Sequence, residues 1–529
     1  MKSLEADFII VGAGSAGSVL ADKLSENGRF SVLVLEAGPS DMRFFVQMPL
    51  GYGKTFYDTS INWAYRAEPD AGLNGQSDYW PRGKILGGSS SINAMVYIRG
   101  NKHDFKGWEE AAGKDWNFKQ VTRIYDALEA GPIKVKNPKD ELHPLCHAFL
   151  NAAQQAGIPF NDDFNGKTQE GVGYYRTTVH QGRRLSAARA FLRPAMKRKN
   201  LRVITGAHVE KIIFENKRAT AIQFNAYGDQ SIAKARREII LCAGAINTPQ
   251  LLMLSGIGPA KHLKSVGIPV IKANENVGQH LEDHLGINYI YRATIPSLNQ
   301  ELRPWWGKLK VGLQYLALGK GPLASSLNQG GGFVRTKKSL KSPNIQLYMQ
   351  AISTLQPKTG ERPLLTPDAF PGFALGISSC RTTSRGKIEL ADKNPQSPPR
   401  IFPNAYGTDH DVDEVLAGVK LIRKIAKQPA LKAIIAEELK PGPKVKTDAQ
   451  LIDDLRSRSG TVYHPTSTAR MGKLAKTSVV NPRLKVHGLE GLRIVDASVF
   501  PNNITGNING PCMMLGARAA ELILEDYRA

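Results

Sequence analysis

The first forty residues contain the pattern that most constrains the fold of this chain. An unbroken apolar run, "DFIIVGAG", is followed by a helical pattern, "SAGSVLADKLSENG", that stops at Gly28, and then by a second apolar run, "FSVLVLEAG". Runs that are apolar at every position are typical of strands covered on both faces, as in a parallel sheet. The order strand, helix, strand therefore predicts a βαβ unit at the start of an α/β protein.

The glycines between the first strand and the first helix predict a dinucleotide site. Gly12, Gly14 and Gly17 form the pattern GxGxxG. These glycines allow a tight turn and let the backbone approach a pyrophosphate, which the helix N-terminus attracts. Glu36, at the end of the second strand, is in position to bind a ribose hydroxyl. The context favours dinucleotide binding over a purely structural turn.

The length of the chain predicts more than one domain. A chain of 529 residues is too long for one ordinary core. Further apolar strand candidates at 202–214, 238–245 and 492–500 lie far along the chain from the first pair. If they join the same sheet, the first domain is discontinuous. Residues 293–461 instead mix helix patterns with strands such as "NIQLYMQ" and "GKIEL", separated by proline-rich loops, which indicates a second domain.

Composition and charge restrict the partners and the compartment. The net charge of +23 is spread along the chain, and the sequence contains no nucleic-acid-binding module. We therefore expect the charged residues to form a solvated surface, with a peripheral membrane role as the alternative. No nucleic-acid partner is predicted. Apolar runs fall short of the roughly 20 residues of a membrane helix. The first strand begins within a few residues of Met1, so we expect no secretory signal. Four widely spaced cysteines favour a reducing compartment over disulfides or zinc, which predicts a cytoplasmic protein, peripheral to the inner membrane face if it binds lipid.

Four motifs in order make the chain resemble the GMC (glucose–methanol–choline) flavoprotein oxidoreductases. "GKILGGSSSIN", residues 83–93, is similar to the first signature of that family, and "GAINTPQLLMLSGIG", residues 244–258, looks like the second. The N-terminal GxGxxG and the C-terminal "YHPTSTARMG", "DASVFP" and "GNINGP" extend the resemblance over the whole chain. The likeness is strongest to the choline dehydrogenase and sorbose dehydrogenase branch.

The resemblance implies a fold of two units. One is a discontinuous Rossmann-like FAD-binding domain with a parallel sheet, and the other is a substrate-binding domain with an antiparallel sheet and helices. The first would consist of residues 1–158, 195–292 and 462–529, and the second of residues 159–194 and 293–461.

The resemblance also implies that the cofactor is FAD. The residues carried over to the ADP part are Gly12, Gly14, Ser15, Ala16, Glu36 and Ala37, with Val209 at the adenine and Ala243 and Gly244 at the ADP end. Those carried over to the pyrophosphate and isoalloxazine are Arg82, Gly87, Gly88, Asn93, Ala94 and Val96, with Asp496, Ala497 and Ile508 closing over the flavin. Some relatives hold FAD covalently through a histidine at the position of Ile92, so this chain is expected to hold FAD non-covalently.

The implied reaction is oxidation of a primary alcohol, polyol or choline-like substrate to an aldehyde or ketone, with hydride transfer to flavin N5. His464 matches the catalytic histidine of the family, and an imidazole with a pKa near neutrality suits removal of a hydroxyl proton. Asn509 matches the second active-site position and would hydrogen-bond the substrate oxygen. Oxygen, a quinone or another carrier would then accept the electrons.

The turn "NNITGNING" precedes the last helix, and Pro511 suits the first turn of that helix. The N-terminus of the last helix would face the pyrimidine edge of the flavin, where negative charge builds up.

Other features leave alternatives open. "HPLCH", residues 143–147, lacks further ligands, so no metal is predicted there. "LRPWWGKLKVGLQYLAL" has helical spacing, which favours packing in the substrate domain over a membrane or subunit contact. Cys380 and Arg381 are the residue types that a small branch of the family uses in light-driven decarboxylation of fatty acids. A choline dehydrogenase and a non-catalytic flavin-binding protein are the remaining alternatives.

Overall fold

Two large sheets organise the chain in the computed structural model, which describes residues 4–355 and 366–528. The first sheet is largely parallel and has a hairpin at one side, whereas every pairing in the second sheet is antiparallel. Each sheet is covered by its own cluster of buried apolar side chains. The predicted mixed α/β architecture with a parallel and an antiparallel sheet is confirmed.

The strand at the centre of the first sheet is the one with which the chain begins. Leu4–Val11 pairs in parallel with Val32–Leu35 on one side and with Asp229–Leu241 on the other. Helix Ser15–Ser25 connects the first two strands, so the predicted βαβ unit is present. In spatial order the strands are Leu201–Ile204, Val32–Leu35, Leu4–Val11, Asp229–Leu241, Arg218–Ala226 and Ala207–Glu215, with Leu492–Ile494 also paired to Asp229–Leu241.

All three distant strand candidates differ from the observed strands, and the one at 238–245 is the end of strand Asp229–Leu241 followed by the start of helix Gly244–Leu254. The candidate at 202–214 is divided at Gly206, whose φ of +66° turns the chain from a parallel strand into the hairpin. The candidate at 492–500 is a strand only over Leu492–Ile494. It ends there because the carboxylate of Asp496 accepts a hydrogen bond from the Ser498 N–H and closes a short 3-10 turn. The sequence pattern was apolar throughout and did not reveal this turn.

The second sheet is formed by residues from the middle of the chain. Its strands in spatial order are Ile435–Lys440, Leu285–Ala293, Gly372–Ser379, Ile345–Gln350, Asn328–Val334 and Gly171–Tyr174, with Gly460–Thr461 paired to Leu285–Ala293. Smaller sheets pair Gln279–Leu281, Gly386–Glu389 and Arg400–Phe402, and Tyr65–Arg66 with Tyr79–Trp80, Val179–His180 with Arg183–Arg184, and Ile257–Gly258 with Lys272–Ala273. Leu285–Ala293 thus belongs to the second sheet although most of it precedes the boundary proposed at 292. The domain boundaries themselves stay a prediction.

The helices surround both sheets. The longer ones are Ser15–Ser25, Lys102–Ala112, Phe118–Ala130, Pro144–Gln155, Gly244–Leu254, Trp305–Leu318, Asp409–Ala426, Asp448–Arg458 and Asn509–Asp526. Short α-helices span Phe44–Gln47, Tyr52–Thr55, Arg193–Ala195, Ala260–Ser265, Leu298–Leu302 and Pro429–Lys432. Short 3-10 turns and one π-turn (Ala188–Leu192) complete the set. Within the described ranges, none of the helices is both long and apolar enough to span a bilayer.

The last helix, Asn509–Asp526, packs against the first helix, Ser15–Ser25. A Cβ atom on Gly516 would lie 2.6 Å from the backbone oxygen of Ala16, so the two helices meet without a side chain between them. The end of the chain is thereby fixed against the glycine turn near its beginning.

Candidate functional site

A cavity of about 710 Å³ lies between the two sheets, and its walls come from both of them. This volume is within the range of small-molecule and cofactor sites. Nearly all residues predicted for FAD line it, namely Gly12, Gly14, Ser15, Ala16, Glu36, Ala37, Arg82, Gly88, Asn93, Ala94, Val96, Val209, Ala243, Gly244, Asp496, Ala497 and Ile508. Both predicted catalytic residues, His464 and Asn509, line the same cavity. Residues from positions 12 to 509 therefore converge on one site.

The glycine turn presents an uncapped helix N-terminus to this cavity. The N-cap residue of helix Ser15–Ser25 is Gly14, which supplies no side-chain hydrogen bond, so the first N–H groups of the helix are available to a ligand. Glu36 braces the turn from the neighbouring strand: its carboxylate accepts the N–H groups of Ala13 (2.9 Å) and Gly38 (2.8 Å). Burial raises the pKa of Glu36 to about 7, and these two hydrogen bonds oppose the shift. This geometry fits a pyrophosphate and an adjacent ribose.

A second glycine-rich loop packs directly on the first. A Cβ atom on Gly88 would lie 2.8 Å from the Cα atom of Gly14, and the φ of Gly88 is +53°. Gly87 does not line the cavity, in contrast to the prediction. Its N–H donates to the carbonyl of Ala13 at 2.8 Å, so Gly87 connects the two loops through a backbone hydrogen bond. Only a backbone without side chains allows this approach.

Arg184 holds the second loop in place, and the sequence analysis missed it. Its side chain is 1% exposed and donates to the Asn93 carbonyl (2.6 Å), the Asn93 amide oxygen (2.8 Å) and the Val46 carbonyl (3.0 Å). Burial lowers the pKa of Arg184 to about 9. The side-chain oxygen of the predicted cofactor residue Asn93 is therefore engaged by Arg184 and by the Met95 N–H.

Asp496 joins the last strand of the first sheet to the helix Gly244–Leu254. Its carboxylate accepts the Gly244 N–H (2.9 Å) and the Thr248 hydroxyl (2.6 Å). Burial raises the pKa of Asp496. Because the carboxylate caps this helix, the first N–H of the helix is not free for a ligand, unlike the N-terminus at Ser15.

His464 lies at the side of the cavity where the second sheet begins. It is 8% exposed, and its ring nitrogens have two different neighbours. Nδ1 lies 3.0 Å from Nδ1 of His284, and Nε2 lies 3.1 Å from the side-chain nitrogen of Asn507. The pKa of His464 lies well below its ordinary value because of burial and, to a smaller extent, the neighbouring His284 and Arg82. His464 is therefore neutral at neutral pH and able to accept a proton.

The orientation of the Asn507 amide favours one tautomer of His464. The Gln346 side-chain nitrogen donates to Oδ1 of Asn507 (3.1 Å), which turns the NH₂ group of Asn507 toward His464. An NH₂ group donates only, so Nε2 of His464 is the acceptor and the ring proton resides on Nδ1. That proton points to His284, which accepts it.

The asparagine that contacts the ring of His464 is Asn507, whereas the sequence analysis assigned Asn509 to the substrate oxygen. Asn507, in the turn, contacts the imidazole, whereas Asn509 is the first residue of the last helix. The carboxamide oxygen of Asn509 accepts the Ser15 hydroxyl at 2.7 Å and so connects the last helix to the glycine turn. In the asparagine-rich turn, residue type alone could not distinguish these two positions.

Three consecutive residues, Glu282, Asp283 and His284, support the site, and the sequence analysis did not identify them. Glu282 accepts the Asn503 N–H (3.0 Å), Asp283 accepts the His464 N–H (2.8 Å), and His284 contacts the His464 ring. Glu282 and His284 are buried, and Asp283 is half-buried. Burial raises the pKa of Asp283 to about 7 and lowers the pKa of His284 to about 4. The detectable signal was three titratable residues in a row directly before the buried strand Leu285–Ala293.

Arg82 brings a positive charge close to His464. Its guanidinium donates to the carbonyl of Tyr463 at 2.8 Å, and burial lowers its pKa to about 10. The backbone at Tyr463 has a φ of +73°, a strained value for a tyrosine, which turns the next residue into the cavity.

The part of the cavity beyond His464, formed by residues 52–57 and the second sheet, combines apolar and aromatic side chains with Asn288, Asn328, Gln350 and Lys440. Its lining residues include Tyr52, Phe56, Tyr57, Ile287, Ile290, Leu327, Tyr348, Ile377 and Val462. Among the described residues, the carboxylates of the wall are those of Glu36 and Asp496, and both are engaged by backbone N–H groups on the dinucleotide side. Arg458, at the other side, is paired with Asp454.

The remaining candidates lie away from the cavity wall. Cys380 is buried in the second sheet, and Arg381 pairs with Asp104 at 3.1 Å. Nδ1 of His143 accepts the Leu145 N–H and caps a helix, and His147 is exposed. No group of three or more His, Cys, Asp or Glu side chains in the described part of the chain is arranged to hold a metal ion.

Comparison with known sequences gives matches over almost the whole chain. The family described as GMC oxidoreductase matches residues 6–286 with its N-terminal model and residues 382–516 with its C-terminal model. An alcohol dehydrogenase (acceptor) of Pseudomonas putida is 40% identical over 98% of this chain and 95% of its own length. The mitochondrial choline dehydrogenase of Homo sapiens is 38% identical over 98% of this chain and 90% of its own length.

Comparison with solved structures gives the same fold. Pyridoxine 4-oxidase from Mesorbium loti superposes with a TM-score of 0.88, at 28% identity, over 98% of this chain and 99% of that one. A formate oxidase of Aspergillus oryzae, studied for modification of its FAD, superposes with a TM-score of 0.92, at 25% identity, over 100% of this chain and 99% of that one.

We expect Gly88→Ala to reduce FAD binding. The added methyl group would overlap the Gly14 backbone, and such overpacking costs about 1–3 kcal/mol, so the affinity for FAD should fall by about tenfold or more. The matched control is Gly28→Ala, since Gly28 also has a positive φ (+70°) but no atom within 4 Å of a new Cβ. FAD content of the purified variants and titration of the apoproteins measure the difference. Equal loss in both variants would show that backbone strain, not contact between the loops, is responsible.

Proposed function

This chain belongs to the family of GMC oxidoreductases, and on that premise we propose that it is an FAD-dependent enzyme that oxidises an alcohol at its CH–OH carbon, with His464 as the base. The observation that carries the proposal is the buried His464, whose Nε2 lies 3.1 Å from the side-chain nitrogen of Asn507 in the cavity that also contains the glycine turn. When bound, FAD supplies the acceptor of the hydride at its N5 atom.

His464 would take the hydroxyl proton of the substrate at Nε2. Its lowered pKa keeps this atom unprotonated at neutral pH. As the proton arrives, His284 continues to accept the hydrogen bond from Nδ1–H and stabilises the charge on the ring. Asp283 fixes the backbone of His464 through a hydrogen bond of 2.8 Å, so the ring stays in place.

Asn507, instead of Asn509, would bind the substrate oxygen. In the present arrangement its NH₂ group donates to Nε2 of His464. A substrate hydroxyl at Nε2 would displace this contact, and the amide would then donate to the substrate oxygen. Asn509 keeps a positioning role through Ser15.

The cofactor would be held without a covalent bond. The N–H groups at the start of helix Ser15–Ser25 would receive the pyrophosphate, with Glu36 toward the ribose. The last helix has no side-chain cap at its N-terminus, so its positive end is available to the electron-rich part of the flavin. Ile92, which lines the cavity, carries no nucleophile.

The charges of the wall favour a neutral alcohol over choline. Aromatic rings line the wall beyond His464, but the described wall there has no free carboxylate to balance the charge of an ammonium group. Arg82 places a positive charge near His464, where it would repel a cationic substrate.

We expect His464→Ala and Asn507→Ala to retain FAD but to slow flavin reduction. Loss of a general base costs about 10²–10⁴-fold and loss of one oxygen-binding donor about 10²–10³-fold. Anaerobic stopped-flow bleaching of FAD-loaded protein measures this rate, with the alcohol that bleaches the wild type fastest in a screen. Asn509→Ala is the matched control, since it removes the same side chain from the Ser15 contact and should mainly weaken FAD retention. The assignment of Asn507 to the substrate oxygen is wrong if flavin reduction is slower in Asn509→Ala than in Asn507→Ala when both variants are saturated with FAD.

We expect the neutral alcohol 3,3-dimethylbutan-1-ol to be a better substrate than choline. The two molecules have the same shape, and only choline carries a positive charge, which would meet no free carboxylate on the described wall and would lie near the positive charge of Arg82. The ratio of their kcat/KM values for flavin reduction should favour the neutral alcohol by about tenfold or more. A preference for choline would instead support a choline dehydrogenase and contradict this reading of the cavity.

We expect denaturation to release FAD from the chain. Ile92 offers no atom for a covalent bond at the position where some relatives carry histidine. Mass spectrometry of the unfolded protein should give the mass of the unmodified chain, with free FAD in the filtrate. A flavin adduct on any peptide would contradict non-covalent binding.

A further inference from the structure

The helix Trp305–Leu318 exposes its apolar side chains instead of burying them. Its buried face consists of Gly307, Val311 and Tyr315. The large apolar side chains are exposed, among them Trp305 (76%) and Leu316 (69%). The sequence favoured a helix packed in the interior through these residues, and the structure reverses that prediction. The narrow face formed by Gly307, Val311 and Tyr315 packs on the protein. No described residue covers the wide apolar face of the helix.

The exposed face has the charge pattern of a helix that lies in a membrane interface. At about 3.6 residues per turn, the apolar side chains span an arc of about 100° opposite the buried face. They are Trp305, Trp306, Leu309, Leu313 and Leu316. Lys308 and Lys310, both exposed, fall at the two margins of this arc. Apolar residues in the middle, tryptophans at one end and lysines at both sides are typical of helices that insert part-way into a bilayer.

A neighbouring segment extends the apolar surface. The ring of Phe44, which is exposed, lies 6.3 Å from the ring of Tyr315, and Phe45 lies next to Phe44 at 5.4 Å. The ammonium of Lys54 lies 4.4 Å from the centre of the Phe45 ring. We call the surface formed by Phe44, Phe45 and the exposed residues of helix Trp305–Leu318 the docking surface.

Positive charge predominates around the docking surface, where Glu301 and Asp58 are acidic neighbours. Residues 302–328 contain Arg303, Lys308, Lys310 and Lys320 and no Asp or Glu. Arg183, exposed on the short strand Arg183–Arg184, adds positive charge beside Tyr315. The net charge of the whole chain is +23. A partner with negative charge and an apolar layer beneath it is complementary to this surface.

We propose that the docking surface binds the face of an anionic phospholipid bilayer, with helix Trp305–Leu318 lying in the plane of the interface. The helix has 14 residues and so a length of about 21 Å, too short to cross the roughly 30 Å of hydrocarbon. A second copy of the chain is a less suitable occupant, because it would bring the same lysines and the same net positive charge to the contact.

The segments that form the docking surface are followed in sequence by residues that line the cavity. Phe44 and Phe45 precede helix Tyr52–Thr55, and Tyr52, Gly53 and Phe56 line the cavity. On the other side, the turn Pro322–Ala324 follows helix Trp305–Leu318 and leads to Leu327 and Asn328, which also line it. Binding to a membrane would therefore place the cavity close to the lipid. The proposal itself does not depend on which alcohol is oxidised.

Vesicle binding by the full-length, FAD-loaded protein tests the proposal. We expect co-sedimentation with vesicles of phosphatidylglycerol and phosphatidylcholine, and about tenfold weaker binding to phosphatidylcholine alone or in high salt. Trp305→Ser/Trp306→Ser should weaken binding by about tenfold or more, since affinity scales with the apolar area inserted. Brominated lipids should quench tryptophan emission from these two residues, because the other four tryptophans are buried or half-buried.

Two matched controls separate the surface from general effects. Leu474→Ser removes an exposed leucine elsewhere and should bind as the wild type does. Lys308→Glu/Lys310→Glu should lose binding to anionic vesicles, whereas Lys393→Glu/Lys473→Glu, with the same net charge, should keep most of it. All variants should retain FAD and the rate of flavin reduction by alcohol, so failure here is distinguishable from failure of the catalytic proposal.

Three results would overturn the proposal. The first is a wild-type protein that does not bind anionic vesicles. The second is an equal loss of binding in the control variants. The third is a dimer, detected by sedimentation velocity, that Trp305→Ser/Trp306→Ser dissociates, which would assign the surface to a second copy of the chain.

Discussion

The structure depends on the close approach of backbones around the N-terminus of the first helix. A Cβ atom on Gly17 would lie 2.1 Å from the backbone oxygen of Gly12. A Cβ atom on Gly88 would lie 2.8 Å from the Cα atom of Gly14, and one on Gly516 would lie 2.6 Å from the backbone oxygen of Ala16. Three distant parts of the chain therefore meet where no side chain can fit. This contact places the second glycine loop and the last helix, and with them the asparagine turn that faces His464. The same backbone contacts therefore position both the glycine turn and the asparagine turn beside His464.

Burial determines the protonation states at the site. His464 and His284 are kept neutral because charged imidazoles would lose their hydration, and the pKa values of Glu36 and Asp283 rise to about 7 for the same reason. Hydrogen bonds to backbone N–H groups hold both carboxylates, which limits this rise. A strongly basic protein thus contains a cavity in which the imidazole that we propose as the base is neutral. Arg82 reinforces this state.

Some of these features could be predicted from the sequence, and others could not. The βαβ unit and the GxGxxG turn were predictable because apolar runs and glycines report directly on backbone geometry. Asn507 was not distinguishable from Asn509, since only the path of the turn decides which amide meets His464. Arg184 and His284 act through contacts with residues about 90 and 180 positions away, respectively, and no local pattern encodes such contacts. The exposed face of helix Trp305–Leu318 was misread because helical spacing does not say which face is covered.

The cavity is enclosed by residues of both sheets, and each sheet has its own core. A cofactor bound there would add its binding free energy to the cohesion between the two cores. By mass action, a ligand at a hundredfold excess over its dissociation constant stabilises the folded state by about 2.7 kcal/mol. The amount of intact protein in a cell would then follow the supply of riboflavin, and newly made chains would compete for it before any alcohol is oxidised.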